Sequence, residues 1–171
     1  PEGKINEDIA TNYRALINCY KLVRTKKIGY YYFQDSSSIT RNKLKKRDFD
    51  LLYAAKELVN LTKNESYKDI KYLAEVKLAR SFFSLLSKIA FYGIDDNELD
   101  KNKIIRYLTQ KVRHNYIVLM KSNIPINRKI MITLLCINFR FLSIPLLVYK
   151  KVIEIMRSLV SKSQEVIGKN F

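Results

Sequence analysis

Residues 66–93 read SYKDIKYLAEVKLARSFFSLLSKIAFYG, and this stretch decides the fold class. Leu73, Val76, Ala79, Phe83, Leu86 and Ala90 recur in it at steps of three and four, the spacing that aligns side chains on one face of an α-helix. Ser66 with Asp69 has the form of a capping box opening that helix. Gly93 suits its C-cap, because glycine turns out of a helix without a Cβ penalty. Upstream, residues 44–61 carry Leu51, Leu52, Ala55, Leu58 and Val59 on one stripe, and residues 64–67 break it. Downstream, Asp95 or Asp96 caps a third helix over about 98–122, with Ile104, Ile105, Leu108, Val112, Tyr116 and Leu119 as apolar members. Pro125 ends that segment. Two more helical stretches cover 126–139 and about 145–167, with Pro145 in the first turn of the second. Only 4 glycines and 3 prolines punctuate 171 residues of 47% hydrophobic content, which favours long helices around a buried core over many short strands.

The first forty residues differ. Residues 7–18 place Ile9, Tyr13, Leu16 and Ile17 at helical spacing, with acids in the first turn where the helix dipole favours them. Residues 20–24 and 28–33 are β-branched or aromatic and read as two short strands or extended edges. At least one of Tyr30, Tyr31 and Tyr32 is then expected in a core, and residues 35–38 form a loop. The expected architecture is mainly α: a short α+β piece over 1–42, followed by a helical extension over 43–171.

Charge is unevenly distributed. Residues 1–100 hold 18 basic and 14 acidic side chains, whereas residues 101–171 hold 14 and 2, and no acid occurs from Lys101 through Ile153. Such a field attracts polyanions, either nucleic acid or an anionic membrane leaflet. Residues 130–149 form an apolar run flanked by Arg128-Lys129 and Lys150-Lys151. Asn138 and Arg140 at its centre, with Pro145, argue against a transmembrane span, since a central arginine costs ~2.5–3.5 kcal/mol on insertion scales. A pair of interfacial amphipathic helices and plain bundle core are the two readings left. Cys19, Cys136 and the single His114 exclude a CxxC or Cys/His zinc cluster, and both cysteines read as small apolar packing residues in a reducing, cytoplasmic setting. The chain opens at Pro1 without Met or a signal-peptide pattern, and the expectation is a cut start.

The segment PEGKINED at 1–8, followed by IGYYYFQDSSSIT at 28–40, resembles the family 2 glycosyltransferases, in particular bacterial enzymes of surface polysaccharide biosynthesis. In that family a loop bearing a Glu-Asp pair opens a helix, a Tyr-rich strand follows, and a Ser-Ile-Thr loop comes next. The matching elements here are Glu7-Asp8, Tyr30-Tyr31-Tyr32 and Ser38-Ile39-Thr40, and KIAFYGIDD and NIPINRKIMITLLCINF are similar to C-terminal extensions of such enzymes. Two departures are plain. Phe33 stands where members often carry a basic residue, and the chain has no tryptophan, so the Gln-x-x-Arg-Trp motif of processive synthases is missing.

The resemblance implies the C-terminal part of an inverting, non-processive enzyme of the GT-A type. A sugar would pass from a nucleotide-sugar donor to a glycan or lipid-linked acceptor. By the resemblance Asp8 is the general base that takes the acceptor proton, Glu7 orients the acceptor, and Gly3, Tyr31 and Ser38 lie along the acceptor pocket. The divalent metal, Mn or Mg, that holds the leaving diphosphate is implied upstream of Pro1, and this chain alone is expected to be inactive. The literal Asp-x-Asp at Asp48-Phe49-Asp50 is rejected as a metal motif, because Lys45-Lys46-Arg47 precede it and it reads as a solvated helix face and not a strand end. An enzyme working on lipid-linked acceptors implies a cytoplasmic location, peripheral on the inner face of the cell membrane. The rival classes are a basic helical nucleic-acid-binding module and a non-catalytic helical scaffold. The first accounts for the basic tail with its interleaved Tyr107, Tyr116 and Phe139, but not for the Glu-Asp loop, and no nucleic-acid partner is expected.

Overall fold

A computed structural model describes Asn6 and residues 8–31, 42–95 and 99–168, the side chains of Ala10 and of residues 157–168 excepted. The fold is mainly α. In chain order the helices are α1 (Asp8–Ile17), α2 (Asp50–Leu61), α3 (Lys68–Tyr92), α4 (Lys101–His114), α5 (Tyr116–Lys121), α6 (Ile126–Ile137) and α7 (Phe139–Gly168), with a 3-10 turn at Lys46–Phe49 leading into α2.

The helix that residues 66–93 predict is α3, and it is the axis of the molecule, with α2, α4, α5 and α7 packed around it. Five of the six stripe residues are buried, and Leu73 alone is exposed. Phe82, Leu85 and Ile89 are buried as well, a second stripe at the same spacing. A helix apolar on two sides is a central one. Leu86 of α3 meets Leu108 and Val112 of α4, Leu119 of α5, Ile132 and Leu135 of α6 and Leu142 of α7 in one core, each of them at most 1% exposed. The capping box does not form: α3 opens at Lys68 after Tyr67, with no side chain capping it.

Gly93 does end α3. Its N–H donates to Ile89 O at 2.9 Å, and its backbone sits at φ +81° and ψ −166°, a region essentially reserved for glycine. This turn presents the Gly93 carbonyl to the Leu44 N–H (2.9 Å), and Leu44 O accepts from Asp95 N–H (3.1 Å), so a short parallel bridge ties the chain before α2 to the end of α3. Nothing lies within 4 Å of a Cβ added at Gly93, so its replacement is penalised by backbone strain alone. Gly93→Ala is expected to cost about 1–3 kcal/mol, read as a lower urea midpoint at unchanged m-value.

Several expectations are corrected. Residues 20–31 form no strand and are exposed. β-Propensity reflects packing on a sheet, and the described residues contain no sheet to pack on. Tyr30 and Tyr31 are 79% and 80% exposed, so neither is core, and Tyr32 and residues 35–38 lie outside the described residues. The third helix is two helices, interrupted at Asn115, whose side chain donates to Lys111 O (2.8 Å). Its cap is Asp100, accepting from Lys103 N–H at 3.0 Å, and not Asp95, which faces Lys43 and Lys45. Pro145 lies inside α7 and not in a first turn, because Asn138 ends α6 and its Oδ1 accepts from Arg140 N–H (2.9 Å), so α7 starts earlier. Pro145 is exposed, where water can take the helix carbonyl it leaves unbonded. Cys19 is exposed, its thiol donating to Ala15 O at 3.1 Å, whereas Cys136 is half-buried and its thiol pKa is raised by burial, against the opposing pull of Arg113.

The run at 130–149 is divided between α6 and α7. Ile132, Leu135 and Leu142 are core, while Ile130, Ile137, Phe141, Ile144 and Val148 are exposed. Among the described residues no helix is long and apolar enough to cross a membrane.

Candidate active site

Asp8 is the first residue of α1. Asn6, with φ +62°, turns the chain into the helix, and its carbonyl accepts from Ile9 N–H (3.3 Å). The Asp8 side chain is exposed and has no hydrogen-bond donor among the described residues. α1 lies on α2, and its Ile9 and Tyr13 are both half-buried. Two long-range side-chain pairs fasten it: the Tyr13 hydroxyl donates to Glu65 Oε1, and Arg14 pairs with Glu57 of α2.

Between α1 and the α2–α3 corner runs an open groove of about 800 Å³. Asp8 and Asn12 line it from α1, Leu58 from α2, and Ile70, Ala74 and Lys77 from α3. It offers a carboxylate, an amide, an ammonium and an apolar floor, the mixture with which a polar ligand bearing hydroxyls is held. The hydrogen bond to Glu65, then burial, then the Glu65 charge push the Tyr13 phenol up to about 12. A phenol whose pKa is raised by folding lends stability that is complete below its unfolded value of about 10 and fades as pH climbs from there through the folded value. α1 is therefore expected to loosen between about pH 10 and 12, seen as faster amide exchange over residues 8–17 than over α3. Tyr13→Phe should already show the looser α1 at neutral pH and respond less to alkali.

Of the residues that the resemblance brings to the site, Asp8 is the one placed on this groove. Tyr31 is exposed and does not line it. Glu7, Gly3 and Ser38 lie outside the described residues. Glu65 and Tyr13 were missed as partners; nothing local pairs them, because they are 52 positions apart.

Asp48-Phe49-Asp50 is helical, as expected, but Asp48 is not solvated. It is 6% exposed at the 3-10 turn before α2. Its Oδ1 accepts from Lys88 Nζ of α3 at 2.8 Å and its Oδ2 from Lys45 N–H at 2.7 Å. With both oxygens committed, this pair of acids does not fit a divalent cation, and no three His, Cys, Asp or Glu side chains among the described residues gather to hold one.

No protein-family model matches the chain, and neither a curated protein nor a solved structure does.

Proposed function

We propose that this chain is the acceptor-side, C-terminal part of an inverting, non-processive glycosyltransferase, with Asp8 as the catalytic base. The observation that carries the reading is the position of Asp8: an exposed carboxylate at the opening turn of α1, on the rim of a groove large enough for a sugar. In inverting transfer an acceptor hydroxyl attacks the anomeric carbon while nucleoside diphosphate leaves, and a carboxylate beside that hydroxyl takes its proton. Asp8 supplies the carboxylate, and Glu7, its neighbour in sequence, the orienting contact. The donor and the divalent metal are held by a part of the enzyme other than the residues described. The acceptor is a glycan or a lipid-linked glycan, and the acid-free basic stretch from Lys101 to Ile153 supports work at the inner face of the cell membrane, peripherally attached.

The test is sugar transfer from nucleotide-sugar donors by the protein expressed from its complete gene, with Asp8→Asn as the diagnostic variant. No transfer or donor hydrolysis across uridine-, guanosine- and thymidine-linked sugars would remove the reading.

A further inference from the structure

Helix α7 has two apolar sides, and the fold uses one. Leu142, 1% exposed, and the half-buried Phe139, Leu146 and Ile153 face α3 and α6. Lys150 fastens the same side: its ammonium donates to Phe91 O (3.4 Å) and lies over the Phe91 and Tyr92 rings at 5.8 and 5.9 Å. At 100° per residue, Phe141, Ile144, Val148, Val152 and Ile155 fall on the opposite side within an arc of roughly 80°. They are 49%, 56%, 56%, 47% and 59% exposed. The stripe is about 21 Å long at 1.5 Å per residue. Isolated apolar side chains on a surface mean little, but five in one continuous row mark a docking face.

The charge around the row selects its occupant. Arg140 and Lys151, both exposed, lie together along one edge, and Tyr149 and Met156 lie along the other. The one acid of residues 139–156, Glu154, sits away from the row, toward the side that packs on the body. A second copy of this chain would bring another +16 and set Arg140 and Lys151 against like charge. A sheet of lipid phosphates neutralises them, and the tyrosine and phenylalanine rings suit the boundary between headgroups and acyl chains. We infer that the outward face of α7 is a membrane-docking surface that lies in the plane of an anionic leaflet, with Phe141, Ile144, Val148, Val152 and Ile155 entering the acyl boundary. The helix does not span, because its other side is fixed to the protein core. This surface extends beyond the apolar run at 130–149, whose α6 half supplies Ile132 and Leu135 to the core.

The inference rests on the membrane-side reading above, but its readout is lipid binding alone. The chain has no tryptophan, so Val148→Trp, Ile155→Trp and, as a control beside the α1 groove, Tyr67→Trp each give a single reporter. With vesicles of phosphatidylcholine containing phosphatidylglycerol, emission should shift to the blue at 148 and 155 and not at 67, and the shift should shrink in high salt. Val148→Asp with Ile155→Asp should weaken vesicle partitioning by roughly 100-fold, because two side chains that leave water on docking no longer do so. Both positions are exposed, so the melting temperature should hold. Equal binding to purely zwitterionic vesicles, or binding to neither, overturns the inference. So does a concentration-dependent self-association in sedimentation that the double aspartate variant abolishes while no vesicle binding is seen. Loss of vesicle binding in that variant with transfer to a soluble acceptor retained would leave Asp8 untouched, so the two readings fail separately.

Discussion

On the glycosyltransferase reading proposed above, Asp8→Asn in the protein complete with a donor site is expected to lower single-turnover sugar transfer by about 10²–10⁴ while donor affinity stays nearly unchanged. Asparagine is close to isosteric with aspartate and can still accept a hydrogen bond, so the start of α1 survives. It cannot take the acceptor proton as the new glycosidic bond forms. A purely structural acid at a helix start would behave differently, costing at most ~1 kcal/mol of stability with activity kept. Melting temperature measured beside transfer therefore separates the two roles. The geometry favours a small stability effect, since the Asp8 side chain is exposed and has no donor among the described residues. Glu7→Gln should be milder if Glu7 only orients the acceptor. Transfer by Asp8→Asn within a few-fold of the unaltered enzyme would show that Asp8 is not the base.

The largest expected loss of stability lies elsewhere, at Asp48. Its carboxylate holds Lys88 Nζ at 2.8 Å and the Lys45 N–H at 2.7 Å, and the Asp48 and Lys88 side chains are only 8% and 13% exposed. Asp48→Ala removes both acceptors and takes from the little-exposed Lys88 ammonium its partner at 2.8 Å. Breaking a buried pair from one side costs about 3 kcal/mol or more. For a chain of this size that is a drop of roughly 6–12 °C in melting temperature. The double change Asp48→Ala with Lys88→Met should recover much of it, because the charge that paired with Asp48 goes too and the methionine chain keeps the packing. A single Asp48→Ala that melts within about 2 °C of the unaltered chain would show that the pair contributes little beyond its own desolvation cost.

These two acids show what could be read locally and what could not. The Glu-Asp pair opening a helix is a pattern over a few residues, and so is the step of three and four that marks α3, the stripe of α2 and Gly93 at a helix end. Periodicity alone determined the helical class and the approximate course of α2, α3 and α6, since it is a property of contiguous residues that any helix must satisfy. It also contained the outward row of α7, from Phe141 to Ile155, at the same spacing. It could not say that this row stays uncovered, because a helix with two apolar sides is core or docking face according to what packs on it.

The groove beside Asp8 was not legible. Its walls come from Asn12, Leu58, Ala74 and Lys77, residues brought together only by the docking of α1 against α2 and α3. Asp48 was read as solvated for the same reason. Flanking Lys45-Lys46-Arg47 make a surface in sequence, yet Lys88, 40 positions on, arrives on α3 and closes over it. The expected strands at 20–24 and 28–33 failed where their residues are described, because β-branched and aromatic side chains acquire a strand only when a neighbouring edge supplies the hydrogen bonds. Pro145 was placed at a helix start since proline favours that position, but Asn138 had already opened α7 one and a half turns or more before it, on a side where water satisfies the freed carbonyl. The sequence by itself determined the helical class, the approximate course of α2, α3 and α6, and the charge asymmetry of residues 101–171. The tertiary structure alone decided which charges are buried, which apolar stripes are covered and which residues share a groove, because each of these depends on partners that local pattern does not name.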